Sequence, residues 1–139
     1  MSHSINRGSE AEGEWIRSQL VAYNNEHAPT TYEPITLKIV NDQQEIIGGL
    51  NAVHLWNWIE VNHLWIDNCY RGQRLGSDLL DEIERIARER KCLYIKLNTF
   101  TFQAPQYYPK HGYQQYAIIE NVPPGFNHHF FIKDLSVVQ

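Results

Sequence analysis

Trp15, Ile16, Leu20 and Tyr23 recur at roughly helical spacing with polar residues between them, which predicts an amphipathic helix over 10–25. Ahead of it, 1–8 predicts no more than a poor first strand around Ile5. Pro29 and Pro34 bracket a loop or a broken short helix. Apolar and polar residues then alternate over 35–40, Asn41-Asp42-Gln43-Gln44 reads as a turn, and 45–55 reads as the returning strand. Gly48-Gly49 inside that strand signals a bulge or the close approach of something bulky. Trp58–Ile66, rich in β-branched and aromatic residues, predicts another strand.

The period changes after that. Leu75, Leu79, Leu80, Ile83, Ile86 and Ala87 fall on one face of a helix over 75–90. Asp81–Arg85 and Glu84–Arg88 stand in the favourable i,i+4 order, and Arg88, Arg90 and Lys91 sit where the negative helix end attracts cations. Residues 93–99 alternate as a strand. A short helix is expected over 104–110, ended by Gly112. Two last strands, 113–120 and 129–135, are joined through Pro123-Pro124-Gly125. A strand–helix–strand unit implies a parallel pair, and the hairpins around it imply antiparallel neighbours. The expected fold class is α/β, a mixed, mostly antiparallel sheet with helices on both faces. At 139 residues the chain is long enough for one core and too short for two, so 1–139 is expected to be a single domain.

Charge and composition narrow the partners. The formal net charge of −4 argues against a nucleic-acid backbone as main partner and suits a cationic one such as an amine. No apolar run approaches the roughly 20 residues of a membrane helix. The polar N-terminus has no signal-peptide core, so a cytoplasmic location is expected. Cys69 and Cys92 are expected as reduced thiols without metal spacing. Adjacent strand residues point to opposite faces, so His128 and His129 do not suggest a shared metal, and none is expected. Trp56 and Trp58 share a face; they line a substrate pocket, or they pack in a core or dimer contact.

Candidate chemistry concentrates in 64–77, Leu-Trp-Ile-Asp-Asn-Cys-Tyr-Arg-Gly-Gln-Arg-Leu-Gly-Ser. A strand ends, a basic loop with two glycines follows, and a helix begins. The first turn of a helix offers unpaired N–H groups and partial positive charge, and glycines let a ligand approach the backbone. Together they form an anion site, above all for a pyrophosphate. It is not a Walker loop, because no Gly-Lys-Ser/Thr closes it, and not a dinucleotide fingerprint, because the third glycine is absent. Taken alone, the stretch is equally an ordinary strand-to-helix connection with two solvated arginines.

The stretch resembles motif A of the GNAT acetyltransferases: Leu64-x-Ile66, then Arg71-x-x-Arg74-x-Gly76. A second stretch, Gln103-Ala104-Pro105-Gln106-Tyr107-Tyr108-Pro109-Lys110-His111-Gly112-Tyr113, resembles motif B at the expected distance. The resemblance covers roughly 45–135. It implies that acetyl-CoA is the cosubstrate, lying along Leu64, Trp65 and Ile66. Its phosphates would be held by Arg71, Gly72, Gln73, Arg74, Leu75, Gly76 and Ser77, with Thr101 and Tyr108 completing the cofactor site. It further implies direct attack by an amine acceptor in a gap between two splayed parallel strands, with backbone N–H near Ile66 polarising the thioester. A homodimer is the commonest assembly for such domains.

Tyr108 is the candidate acid for the departing thiolate, with Tyr107 expected to pack elsewhere. Glu60 is the candidate base; His63 is its rival, but belongs to the opposite face unless a bulge intervenes. On an unbroken strand Glu60, Asn62, Leu64 and Ile66 share one face. Three positions depart from the family pattern. Arg74 replaces a glycine, so its side chain points away from the pyrophosphate or touches a phosphate itself. Thr101 replaces an Asn and is expected to cap the short helix. Pro109 biases Tyr108 away from helical angles. Two other functions are weighed: a non-catalytic acyl-CoA sensor, and an enzyme acting on aminoacyl-tRNA. Retention of Tyr108 and Glu60 speaks against the first, and the negative charge speaks against the second.

Overall fold

The protein is described by a computed structural model covering residues 2–29 and 32–136. It divides into two compact units, Met1–Thr30 and Thr31–Gln139. In the first, helix α1 (Glu10–His27) runs two residues past its expected end. Its start is a capping box: Ser9 Oγ accepts the Glu12 N–H at 3.1 Å, and Glu12 Oε1 accepts the Ser9 N–H at 2.9 Å. The expected strand around Ile5 does not form; 2–9 carry no regular structure. A lone apolar residue among polar ones has no face to bury. Thr30 and Thr31, inside the expected loop between the prolines, lie outside the described residues.

The second unit is a six-stranded mixed sheet in the order β1-β2-β3-β4-β6-β5. Its strands are β1 (Glu33–Val40), β2 (Ile46–Leu55), β3 (Trp58–Ile66), β4 (Tyr94–Phe100), β5 (Gln114–Glu120) and β6 (Asn127–Asp134). Only β3 and β4 are parallel, linked by helix α2 (Leu75–Glu89). Pro34 lies within β1, an edge strand, where a missing N–H is tolerated. No helix among the described residues is long and apolar enough to cross a membrane.

One core forms where α2 lies on the sheet. Leu79, Leu80, Ile83 and Ala87 pack with Leu50, Ala52, Ile59, Val61, Ile95, Leu97 and Phe131, and Ile59, Ile83, Ala87 and Ile95 are 0% exposed. Burying one such aliphatic side chain is worth about 1.5–3 kcal/mol. The glycine pair in β2 reflects close backbone approach. A Cβ on Gly48 would come within 2.7 Å of Ile66 Cδ1, and one on Gly49 within 2.8 Å of the Leu37 carbonyl oxygen. On the helix surface the Glu84–Arg88 pair forms, but Arg85 bonds Glu82 and Glu89 rather than Asp81. Two carboxylates spaced i−3 and i+4 outcompete one at i−4.

A polar cluster ties β6 to α2. Lys133 is only 6% exposed; its Nζ donates to Glu84 Oε1 and, at 2.7 Å, to the His111 carbonyl. Burial raises the Glu84 carboxyl pKa, but hydrogen bonds from Lys133 and Arg88 outweigh it and hold the group below its usual value. Because the folded-state pKa is depressed, the stabilisation is present above the ordinary carboxylate range and is lost as pH falls through the folded value. Lys133→Met should destabilise by about 2 kcal/mol in urea unfolding. That is below the ~3–5 kcal/mol of a fully buried pair, because Glu84 remains 20% exposed. Glu84→Gln should flatten the acid side of the stability–pH curve; an unchanged acid limb would contradict the assignment.

Candidate active site

β3 and β4 pair from Trp58↔Tyr94 through Val61↔Leu97 and no further. Beyond those residues the two parallel strands diverge. At the same point β3 carries a bulge: Asn51 pairs with His63 and Ala52 with Val61, so Asn62 has no partner on β2. A bulge increases local twist and bends its strand. Asp67 N–H donates to Ile47 O at 2.8 Å, towards β2. Strand alternation therefore aims the N–H and C=O of Ile66 the other way, into the gap. The Ile66 carbonyl accepts Arg71 Nε at 3.2 Å, which holds that arginine against the end of β3.

The loop that follows is built for a tight reversal. Asp67 accepts the Cys69 N–H at 2.8 Å and opens a 3-10 turn, Asn68–Tyr70. Gly72 takes φ +84°, and Arg74, at the N-cap of α2, takes φ +65° and ψ +18°. This left-handed conformation explains why the motif carries glycine where Arg74 stands. No side chain caps α2. The N–H groups of its first turn are left to the loop side, where an anion would be favoured.

Gly76 admits a neighbour that sequence reasoning missed. A Cβ there would come within 2.9 Å of the Tyr107 hydroxyl, which bonds Ser77 Oγ at 2.9 Å. Ser77 Oγ also meets His111 Nε2 at 3.3 Å. Tyr107, expected to pack elsewhere, thus joins 105–111 to the first turn of α2. A glycine two residues past the N-cap, beside a small polar residue, is the sequence signal for such a close approach.

The expected short helix over 104–110 is instead two 3-10 turns, Pro105–Tyr107 and Pro109–His111, each starting at a proline, after Ala104 at φ +58°. Proline suits the first position of a turn because its missing donor would be unpaired there. Tyr108 between them has φ −73° and ψ −39°. The expectation that Pro109 drives it from helical angles is overturned. Its carbonyl accepts His111 N–H at 2.9 Å and Tyr113 N–H at 3.2 Å, which holds the turn closed. Gly112, at φ +88°, ends the segment as expected.

Tyr108 is buried against Phe131 and Tyr113, with ring centroids 5.6 and 6.0 Å away. Burial, followed by the neighbouring Tyr107, pushes its hydroxyl up to about 12. A phenol so raised stays protonated across the neutral range. Full transfer to a thiolate of ordinary pKa near 8.5 is uphill by about 5 kcal/mol, so hydrogen-bond donation is the chemistry available to it. Thr101 does not cap a helix. Its hydroxyl accepts Asn127 N–H at 2.8 Å and donates to Asn127 O at 3.2 Å, tying the end of β4 to the start of β6.

The bulge rearranges the faces of β3. Ile59, Val61, Leu64 and Ile66 turn to the core, so Leu64 and Ile66 offer the gap their backbone rather than their side chains. Glu60 does not share a face with Leu64 and Ile66; it shares the outer face with His63 and Trp65. The corrected phase is visible in the sequence, because the aliphatic residues of β3 stand at odd positions up to Val61 and at even positions from Leu64. Glu60 stands beside Lys96 in register, and among the described residues nothing bonds its carboxylate. Trp56 and Trp58 stack at 5.5 Å, with Lys96 Nζ 4.5 Å from the Trp58 ring.

His128 and His129 diverge, one bonding Asn98 at 2.9 Å and the other Gln115 at 2.6 Å. Among the described residues no cluster of His, Cys, Asp or Glu is placed to hold a metal. Cys69 and Cys92 are free thiols. A surface cavity of about 740 Å³ lies between α2 and 109–112, lined by residues of neither β3 nor β4. Its charged lining is largely engaged in the Glu84, Arg85, Arg88 and Lys133 ion pairs.

Comparison with known proteins adds independent findings. A family model described as an acetyltransferase (GNAT) domain matches residues 34–115. Blasticidin-S acetyltransferase of Streptomyces morookaense is 39% identical over 95 residues, 68% of this chain and 70% of that one. The crystal structure of an acetyltransferase from Bacillus cereus superposes with a TM-score of 0.89 at 36% identity, covering 96% of this chain and 98% of that chain. A Bacillus anthracis acetyltransferase solved with acetyl-coenzyme A shares the fold at a TM-score of 0.65 and 18% identity, over 74% of this chain and 63% of that one.

The left-handed N-cap makes a direct prediction. Arg74→Gly should leave stability unchanged or raise it by up to about 1 kcal/mol, as relief of the strained φ offsets the greater freedom of the unfolded chain. Arg74→Val should cost about 1–3 kcal/mol, because a β-branched residue tolerates this conformation worst. Equal midpoints in urea for the two variants would contradict the geometry.

Proposed function

Since the chain belongs to the GNAT acetyltransferase family and is an acetyl-CoA-dependent N-acetyltransferase, we propose that it acetylates a primary amine of a small molecule in the gap between β3 and β4. The observation that carries this is the end of β3–β4 pairing at Val61 and Leu97, with β3 then leading through the loop 67–74 into an uncapped α2. The name of the Streptomyces relative supports a small-molecule acceptor over a protein amine.

On this reading the CoA pyrophosphate sits on the backbone of 72–77, with Arg71 and Arg74 adding charge. The thioester lies along the Leu64–Trp65–Ile66 backbone, where the Ile66 N–H polarises its carbonyl. The amine attacks directly. Tyr108 donates a hydrogen bond to the sulfur as negative charge develops there. Glu60, the carboxylate on the outer face where the gap opens, draws off the amine proton, directly or through a group on the same face. Thr101 contributes by fixing the end of β4 beside the cofactor.

Acetyl-CoA at ~100 times its Kd should stabilise the fold by about 2.7 kcal/mol, several degrees in Tm. Gly76→Asp should abolish that shift, by placing a carboxylate at the phosphate position and a Cβ against the Tyr107 hydroxyl. No shift for the unaltered protein at millimolar acetyl-CoA would sink the reading.

Tyr108→Phe should lower kcat by about tenfold or more, because its bond strengthens as the thiolate forms. The acetyl-CoA Kd should stay within about threefold, a neutral thioester sulfur being a poor acceptor. Full activity in a thiol-release assay would exclude the role.

A further inference from the structure

The bulge at Asn62 delivers a second titratable group to the outer face, and we propose that His63 is the residue that takes the proton from the acceptor amine, aligned by Asn51 and Thr36. This rests on the acetyl-transfer reading of the gap and names the group that stands between the amine and Glu60. His63 follows the one residue of β3 that has no partner on β2. Without the bulge it would point into the core.

Three neighbouring strands hold the ring. His63 Nδ1 on β3 faces Asn51 Nδ2 on β2 at a long 3.4 Å, and Asn51 Oδ1 meets Thr36 Oγ1 on β1 at 3.0 Å. The Asn51 amide fits the same heavy-atom positions turned either way. With its oxygen towards His63, Nδ1–H donates to Asn51, Asn51 donates to the Thr36 hydroxyl, and Nε2 keeps its lone pair. In this orientation Nε2 can accept a proton. Among the described residues Nε2 has no partner.

The same residues line an open groove of about 240 Å³ on the outer face, where Thr36, Lys38, Asn51, His63 and Trp65 surround Gly49. Gly49 lies in register with Lys38 and Trp65, and its missing side chain leaves the space between them. A side chain there would meet the Leu37 carbonyl at 2.8 Å. The groove is of a size for a small amine, and it opens beside the gap. The charged groups on this face of β1 to β4 are Lys38 on β1, Glu60 on β3 and Lys96 on β4; the polar side chain β2 brings is the neutral Asn51, and Asp134 of β6 lies farther off, opposite Tyr94.

In the step, the nitrogen lone pair forms the C–N bond and the C–S bond breaks. His63 Nε2 takes the proton of the ammonium before attack, which frees that lone pair, and the second proton, made acidic once the C–N bond has formed, passes to solvent. Sulfur leaves as thiolate against the Tyr108 hydroxyl and is protonated from water. Imidazole suits the task because its ordinary pKa lies near neutrality.

The test measures thiol release from acetyl-CoA with two amines of similar size, strongly basic ethylamine and weakly basic 2,2,2-trifluoroethylamine. The first is protonated at neutral pH and the second is already neutral. His63→Gln, which keeps a side-chain amide in place of the ring, should lower kcat on ethylamine by about a hundredfold. On trifluoroethylamine the loss should be about threefold or less, with the KM for acetyl-CoA unchanged. Asn51→Leu should lose rate on ethylamine as well. Asn51→Asp should retain more rate than Asn51→Leu and move the acid limb of kcat/KM to higher pH, because a carboxylate beside Nδ1 favours the imidazolium. Equal losses on the two amines, or no loss on ethylamine, would overturn the proposal while leaving acetyl transfer standing. No thiol release by the unaltered protein with either amine would overturn acetyl transfer itself, and the role of His63 with it.

Discussion

A parallel strand pair ordinarily hydrogen-bonds along its length, and here the β3–β4 pair stops at Val61 and Leu97. Each strand can leave the other because each has an antiparallel partner on its far side. β2 follows β3 from Leu55↔Trp58 to Gly48↔Ile66, and β6 follows β4 from Tyr94↔Asp134 to Phe100↔His128. Those outer ladders hold the lips of the gap. The inner edges keep backbone groups that need a partner. The bulge at Asn62 occurs at the parting point and adds the twist that separates the strands.

The remaining parts follow from what must surround that gap. The chain leaving β3 must turn at once into α2, which requires left-handed residues at Gly72 and Arg74 and leaves the first helical turn facing the loop. The second lip needs a wall, and the 3-10 turns at 105–111 supply it. That segment is held by side chains from elsewhere: Ser77 receives Tyr107 and His111, and Lys133, buried against Glu84, takes the His111 carbonyl. The buried Tyr108 is thereby fixed with its hydroxyl protonated. The polar cluster distant from the chemistry and the placement of the phenol are parts of one arrangement.

Much of this was legible in the residues. The core stripe of α2 and the alternation in β1, β2 and β4 are patterns of burial, and burial has a period. The turn from β3 into α2 was legible because two glycines and the start of an apolar helical stripe mark a strand-to-helix connection. Three features escaped because they depend on contacts distant in sequence. Tyr107 bonding to Ser77 spans thirty residues. Lys133 sits in a strand pattern that gives no hint of the carboxylate beneath it. The angles of Tyr108 are decided by hydrogen bonds from His111 and Tyr113, against the local preference set by Pro109. The bulge is intermediate: the move of aliphatic residues from odd to even positions between Val61 and Leu64 signals it, and the assumption of an unbroken strand concealed it.

The most direct test is a crystal structure of the protein with acetyl-CoA. The account places pyrophosphate oxygens within hydrogen-bond distance of the backbone N–H groups of 72–77. The thioester carbonyl should lie at the Ile66 N–H between β3 and β4, and the sulfur beside the Tyr108 hydroxyl. Density for the cosubstrate bound elsewhere, with β3 and β4 still parted and empty, would contradict the claim that the end of strand pairing makes the site.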